Sequence, residues 1–305
     1  MASHKAEFIK VPTDNSDGFQ TMPVEPSRRL SESELRIEKC TPDDAEKIVS
    51  WPIDLHPTFR TYPIFLTQKP HHTNTPTQAE GLYLCFPEDW WAKKEPPELR
   101  PAGSNSLAIR IQRMAQRLTP ALTDPYHTFM KAIYTPTGET IGISGWTLPT
   151  NPSVHNLFRR SAATHYSWKD QMSWTDADLD LMWSHVSSEN WSERFAKDDE
   201  VRREATGGER HWYLAPLLTW PEWQGRGVGK RLMEWALAQA DERGEVMYLE
   251  SRPSARAVYL HLGFVECGEY NMIRRPKGRE GEKVEVKVEE KGEVATKGAD
   301  ADGAI

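Results

Sequence analysis

The chain has 305 residues, 38% of them hydrophobic and 27% charged, with a formal net charge of -7 at pH 7. That length is enough to bury a sizeable core, whereas an acidic balance offers no overall basic field to nucleic acid or an anionic membrane. No apolar run approaches the ~20 residues of a membrane span, Met1 to Asp14 lacks a signal-type apolar segment, and Cys40, Cys85 and Cys267 form neither a disulfide framework nor a metal doublet. The expectation is a soluble cytoplasmic protein with reduced thiols, bound to neither nucleic acid nor membrane; nothing in the sequence sets its oligomeric state.

Residues 1–33 are polar and proline-bearing and read as a disordered arm. Leu35 and Ile37 alternate with polar neighbours as a strand does, and Thr41-Pro42-Asp43-Asp44 then supplies a cap, a first-turn proline and two dipole-matched carboxylates for a helix through Val49. From 51 to 104 prolines recur around an isolated apolar run, Leu82 to Phe86, so this segment is expected to be irregular. Leu107, Ile109, Ile111, Met114, Ala115 and Leu118 make an amphipathic helix of Ser106 to Leu118, its arginines assigned to solvated surface. His127 to Tyr134 and Glu139 to Trp146, joined by Thr135-Pro136-Thr137-Gly138, read as a hairpin.

Residues 150–209 form a long insertion rich in tryptophan, with a helix somewhere from Asp176 to Arg203. Trp168, Trp174, Trp183 and Trp191 could wall an acceptor pocket or cage a cation, with core packing as the plainer fate of most of them. The C-terminal half then reads β-α-β-α-β: His211 to Thr219, Val228 to Arg243, Val246 to Glu250, Pro253 to Leu262 and Phe264 to Arg274. Residues 276–305 are a Lys/Glu-rich tail expected to be disordered, which leaves one domain over 34–275. His71-His72 and the Asp176, Asp178, Asp180 series lack metal-site spacing, so no metal is expected.

The chemistry concentrates in "WPEWQGRGVGKRL", where Gly225, Gly227 and Gly229 follow a strand and open a helix. Glycine lets the backbone take left-handed angles and approach a ligand, and the unbonded N–H groups of a first helical turn favour a phosphate. The stretch has no Gly-Lys-Ser/Thr ending and lacks the setting of a dinucleotide fingerprint. Pro216 stands inside the preceding strand, where it marks an edge or a bulge.

Gln224, Gly227 and Gly229 stand in the order Gln/Arg-x-x-Gly-x-Gly/Ala, and in this the chain resembles the GNAT acetyltransferase superfamily. "SARAVYLHLGF" resembles that family's later Ala-x-x-x-Tyr-x-x-x-Gly-Phe segment, and the close resemblance spans roughly Trp212 to Val265. It implies an α/β, GNAT-like acyltransferase fold with a twisted, mixed, largely antiparallel sheet flanked by helices. It also implies acetyl-coenzyme A as co-substrate, its pyrophosphate on the backbone from Gln224 through Gly225, Arg226, Gly227, Val228 and Gly229 to Lys230. By the same resemblance a bulge in the strand splays it from its neighbour, Leu217 N–H polarises the acetyl carbonyl, Thr219 contacts the pantetheine arm and Tyr259 protonates the departing thiolate.

Some relatives carry a glutamate where this chain has Tyr213, which leaves the base open, with His211 and Glu250 as alternatives. The implied reaction is direct acetyl transfer to a primary amine, with a small molecule preferred as acceptor because the aromatic insertion could close a pocket. A protein lysine or N-terminal amine would use the same chemistry, and an inactive coenzyme-binding or scaffold protein is the alternative of another class.

Overall fold

In a computed structural model, residues 28–41, 44 and 78–279 are described. The expected helix up to Val49 lies outside them except at Asp44, as do residues 1–27, His71-His72 and all but the first residues of the C-terminal tail. At Thr41 the backbone N–H donates to Asp44 Oδ2 at 2.7 Å, the turn geometry that a cap and a third-position carboxylate favour.

The elements in chain order are β1 (Leu35–Lys39), α1 (Gln78–Cys85), α2 (Glu88–Lys94), α3 (Ser106–Leu118), β2 (His127–Tyr134) and β3 (Glu139–Thr147). Next come two single turns, α4 (Ala162–His165) and α5 (Trp168–Gln171), then α6 (Asp176–Trp183) and, after a π turn at Glu189–Glu193, α7 (Arg194–Thr206). The chain continues through β4 (His211–Thr219), α8 (Val228–Arg243), β5 (Val246–Glu250), α9 (Pro253–His261), β6 (Val265–Glu266) and β7 (Asn271–Arg274). Seven strands form one sheet in the order β1-β2-β3-β4-β5-β7-β6, antiparallel throughout except for the parallel pair β4–β5. The mixed, largely antiparallel sheet with flanking helices is the expected architecture.

Side chains alternate across the pleat and build core on both faces of the sheet. Trp212, Leu214, Met247, Leu249 and Met272 meet Met233, Ala236, Leu237 and Ala240 of α8 on one face. Tyr213, Tyr248 and Ile273 point to the other, into a larger core shared with the helices of 78–122 and of the insertion. The helix α8 ends as expected, with Gly244 at φ 64° accepting the left-handed turn that stops it.

Three expectations need correction. Residues 78–94, read as irregular, hold two helices separated at Pro87, where a proline both ends one and starts the next. The apolar run Leu82 to Phe86 belongs to α1 and the turn after it, where Gly81 lies so near Trp220 that a Cβ would meet the ring at 2.6 Å. The arginines of α3 are not all on the surface: Arg110 is 4% and Arg117 3% exposed. Arg110 Nε donates to Glu95 at 2.5 Å, and the Arg117 guanidinium lies 5.1 Å from the Trp183 ring and 5.7 Å from that of Trp191. Finally, Phe264 to Arg274 is a short hairpin of β6 and β7 instead of one strand, turned so that Cys267 N–H donates to Asn271 O at 2.9 Å.

The insertion's tryptophans pack as structure. Trp168, Trp183 and Trp191 are buried, and Trp174 is partly buried against the same core. The cation over Trp183 and Trp191 is the chain's own Arg117. Thr175 opens α6 with a capping box closed by Asp178, a pairing written locally in the sequence.

Candidate active site

The site starts from a defect in β4. Ser144 faces Leu217 but Trp146 faces Leu214, so β4 carries one residue more than β3 around Ala215 and Pro216. That is a bulge, which bends a strand and strengthens its twist, at the place Pro216 marked. On its other edge β4 pairs with β5 only from His211↔Val246 to Leu214↔Leu249. From Ala215 onward the two parallel strands diverge, so the edge of β4 that carries Leu217 and Thr219 has lost its β5 partner.

Beyond Thr219 the chain makes one turn of 3-10 helix, Pro221–Trp223, and then the glycine loop. Gly225 (φ 71°) and Gly227 (φ 86°) both take left-handed angles, which other residues adopt only with strain. Gly227 is the N-cap of α8 and no side chain caps that helix. The first-turn amides of Val228, Gly229 and Lys230 therefore stand at the positive end of the helix dipole without a side-chain acceptor. Gly229 packs back on β4: a Cβ there would lie 3.6 Å from Thr219 Oγ1 and 3.9 Å from Leu217 Cδ2. The fold thus brings the loop, Thr219 and Leu217 together.

The side chains of the loop are partly engaged. Gln224 Nε2 donates to the Thr219 carbonyl at 3.0 Å, and Cys85 Sγ of α1 donates to the same oxygen at 3.2 Å. Arg226 lies 4.8 Å from the Trp223 ring and Lys230 pairs with Glu234. The segment before β1 touches the loop as well, through Leu30 N–H to Arg226 O at 3.2 Å and an ion pair of Glu32 with Arg231.

Tyr259 sits on α9, 6% exposed, in the core on the α8 side against which Leu217 also packs. Its ring meets Phe264 edge-on at 5.9 Å, and burial raises the phenol's pKa well above its ordinary value. On the opposite face of the sheet, Tyr213 OH donates to Glu250 Oε2 at 2.8 Å and accepts from Asn156 Nδ2 at 2.7 Å. Arg202 of α7 lies 4.5 Å from the Tyr213 ring and pairs with Asp199 at 2.6 Å.

Glu250 ends β5, one residue beyond the last β4–β5 pair. Burial, reinforced by Asp198 and Asp199, pushes its carboxyl up to about 8 against the opposing pull of Arg202 and the Tyr213 hydroxyl. His211 stands at the far end of β4, its Nδ1 2.7 Å from Glu209 O, and burial lowers its pKa to about 4. Position removes His211 from the divergence and leaves Glu250 there.

Among the described residues no group of three His, Cys, Asp or Glu side chains could hold a metal ion, and no helix is long and apolar enough to cross a membrane. Sequence reasoning missed Asn156 and Arg202, which come from the insertion and reach Tyr213 only through the tertiary fold.

Residues 157–264 match the sequence model of the acetyltransferase (GNAT) family. The match takes in β4, the glycine loop, α8, β5 and α9, the elements that build the site described above. No curated protein matches the chain. Among solved structures, it is similar to a histone acetyltransferase HPA2 and related acetyltransferase from Corynebacterium glutamicum, at 16% identity and TM-score 0.44 over 80% of this chain and 97% of that one. It is similar to mosquito arylalkylamine N-acetyltransferase like 5b at 11% identity and TM-score 0.39, over 79% and 99%. A third likeness is to the GNAT family N-acetyltransferase YhbS from Escherichia coli in complex with CoA, at 11% identity and TM-score 0.36 over 82% and 86%. At such scores these likenesses bear on no residue's role; the family match carries the assignment. Residues 157–264 thus carry the sequence of an acetyltransferase (GNAT) domain.

Proposed function

We propose that the chain transfers the acetyl group of acetyl-coenzyme A to a primary amine by direct attack, with no acyl-enzyme, and that a small molecule is the acceptor. One observation carries the proposal: the uncapped, glycine-opened N-terminus of α8 stands beside the stretch of β4 that has lost its β5 partner. Orphan amides at a helix start favour a pyrophosphate, and the freed edge of β4 leaves room for an extended thioester arm. When bound, the coenzyme supplies an activated acetyl carbonyl.

In this reading the backbone from Gln224 through Gly225, Arg226, Gly227, Val228 and Gly229 to Lys230 holds the pyrophosphate. The Gln224 side chain fixes the loop through the Thr219 carbonyl. Thr219 lines the pantetheine arm, and Leu217 N–H stabilises negative charge on the acetyl oxygen as it develops. Tyr259, a phenol kept protonated by burial, gives its proton to the departing thiolate. The helical insertion over the Tyr213 face favours an enclosed small amine, and the thiols of Cys85 and Cys267 fit the reducing cytoplasm in which such a thioester is supplied.

The test is calorimetric titration with acetyl-coenzyme A, followed in the same preparation by thiol release against a panel of small primary amines and lysine peptides. Binding with release driven by small amines is the expected result. Release driven by peptides alone would overturn the acceptor class, binding without release would favour an inactive coenzyme-binding protein, and absence of binding would overturn the proposal.

A further inference from the structure

We propose that Glu250 is the proton acceptor for the attacking amine, held ready by the Tyr213 hydroxyl, which Asn156 of the insertion holds in turn. The inference rests on the acetyl-transfer reading above and names the base which that reading leaves open.

The geometry begins with which face each group occupies. The glycine loop, α8 and Tyr259 belong to one side of the sheet, where Trp212, Leu214, Met247 and Leu249 point. Tyr213 and Tyr248 point to the other side, and the pleat sends Glu250 the same way as Tyr248. Coenzyme and acceptor therefore approach the divergence of β4 and β5 from opposite faces, and Glu250 stands on the acceptor's face at the first position beyond the last pair.

The second element is how the carboxylate is bonded. Its Oε2 accepts from Tyr213 OH at 2.8 Å. Its Oε1 is buried and has no hydrogen-bond partner. A buried carboxylate oxygen with nothing to accept from is costly, and a donor that reaches it relieves that cost. An ammonium N–H entering the divergence is the donor that oxygen lacks.

The phenol is also placed to resist giving up its own proton. Tyr213 is fully buried and its pKa is raised well above the ordinary value by burial and by the adjacent Glu250 carboxylate. It orients Glu250 without competing for the proton, and its oxygen accepts from Asn156 Nδ2 at 2.7 Å. Asn156 and Tyr213 are thus positioning residues, and they give the insertion a mechanical link to the base.

The groups facing Glu250 are Arg202, Asp198 and Asp199 of α7, Tyr213 of β4, Tyr248 of its own strand and Cys267 in the turn before β7. Burial and the two aspartates hold its carboxyl at about 8, close to the working pH of a base that must take a proton and release it again. The proton balance closes on the residues named. R–NH3⁺ gives one proton to Glu250, and the neutral amine forms the N–C bond at the acetyl carbon. The C–S bond breaks, Tyr259 protonates the thiolate, and the nitrogen's second excess proton restores the phenol, leaving amide, free thiol and protonated Glu250, which discharges to solvent.

The experiment uses the full chain, Glu250→Gln, Glu250→Asp and Tyr213→Phe. Difference infrared spectra between wild type and Glu250→Gln report the Glu250 carboxyl directly across pH, without an acceptor. Titration near 8, moved upward in Tyr213→Phe, is the expected result; titration in the ordinary carboxylate range would overturn the proposal. In parallel, pH profiles of thiol release are taken with the best primary amine of the panel. Glu250→Gln is expected to lower kcat about 10²- to 10⁴-fold and to abolish the limb that rises through about 8. Glu250→Asp should restore part of that loss, while calorimetric affinity for acetyl-coenzyme A stays at wild type. A Glu250→Gln protein with the wild-type limb would overturn the proposal and leave acetyl transfer standing; loss of coenzyme binding in the wild-type chain would instead overturn acetyl transfer itself.

Discussion

Gly227 and Gly229 look alike in the sequence, two glycines one residue apart, yet the structure gives them opposite sensitivities to a single methyl group. Gly227 caps α8 at φ 86° and ψ 1°, and a Cβ there would come no nearer than 4.0 Å, to Arg29 Cγ. Space is ample and the backbone angle is not: a non-glycine residue at such an angle costs about 1–2 kcal/mol. Alanine also restricts the unfolded chain, returning about 0.4–1 kcal/mol, so Gly227→Ala should destabilise by about 1 kcal/mol. Gly229 lies inside the helix at an ordinary angle, and its Cβ would make only van der Waals contact at 3.6 Å with Thr219 Oγ1. Helix propensity then favours Gly229→Ala by about 0.5–1 kcal/mol. Urea unfolding of the two variants should move the midpoint in opposite directions at unchanged slope. Calorimetry with acetyl-coenzyme A should find binding weakened at least tenfold, about 1.4 kcal/mol, for Gly227→Ala and near wild type for Gly229→Ala, whose Cβ points at β4. A Gly227→Ala protein as stable and as tight as wild type, or two variants shifted the same way, would refute the argument that Gly227 shapes an anion site through its backbone angle.

Tyr259→Phe should slow thiol release while acetyl-coenzyme A affinity is retained, since only a proton donor is removed; a wild-type rate in a steady-state assay would remove the acid role. Glu95 is fully buried among Arg110, His185 and Tyr83, so Glu95→Ala strands a buried guanidinium and should cost about 3–5 kcal/mol in urea unfolding; a loss below 1 kcal/mol, on the order of a surface pair, would contradict that. Burial holds His155 and His211 near about 4, below their unfolded value of about 6.5. The unfolded chain then binds more protons across that window, so stability falls as pH drops from about 6.5 to about 4. His211→Gln should make the decline of the urea midpoint shallower than in wild type, and parallel declines would refute the assignment.

Much of the sheet was legible because its signals are local. The hairpin was marked by Thr135 to Gly138, α8 by its apolar stripe and the stop at Gly244, and the β4 bulge by Pro216, each a property of a few neighbouring residues. The helices over 78–94 were hidden because prolines that punctuate two short helices look in sequence like those of a loop. Arg110 and Arg117 were misplaced for a related reason: an arginine's partners decide its burial, and Glu95, Trp183 and Trp191 lie elsewhere in the chain.

What the sequence determined by itself is the shape of the glycine loop, because strand, loop and helix are contiguous and the backbone angles they need are encoded by glycine. What only the tertiary structure decided is the surroundings of Glu250. Glu250, Tyr213 and Asn156 are drawn together from β5, β4 and the insertion. The partners of a buried carboxylate, and hence its proton affinity, depend on which strands pair, where they part and what covers their outer face, and no short segment carries that information.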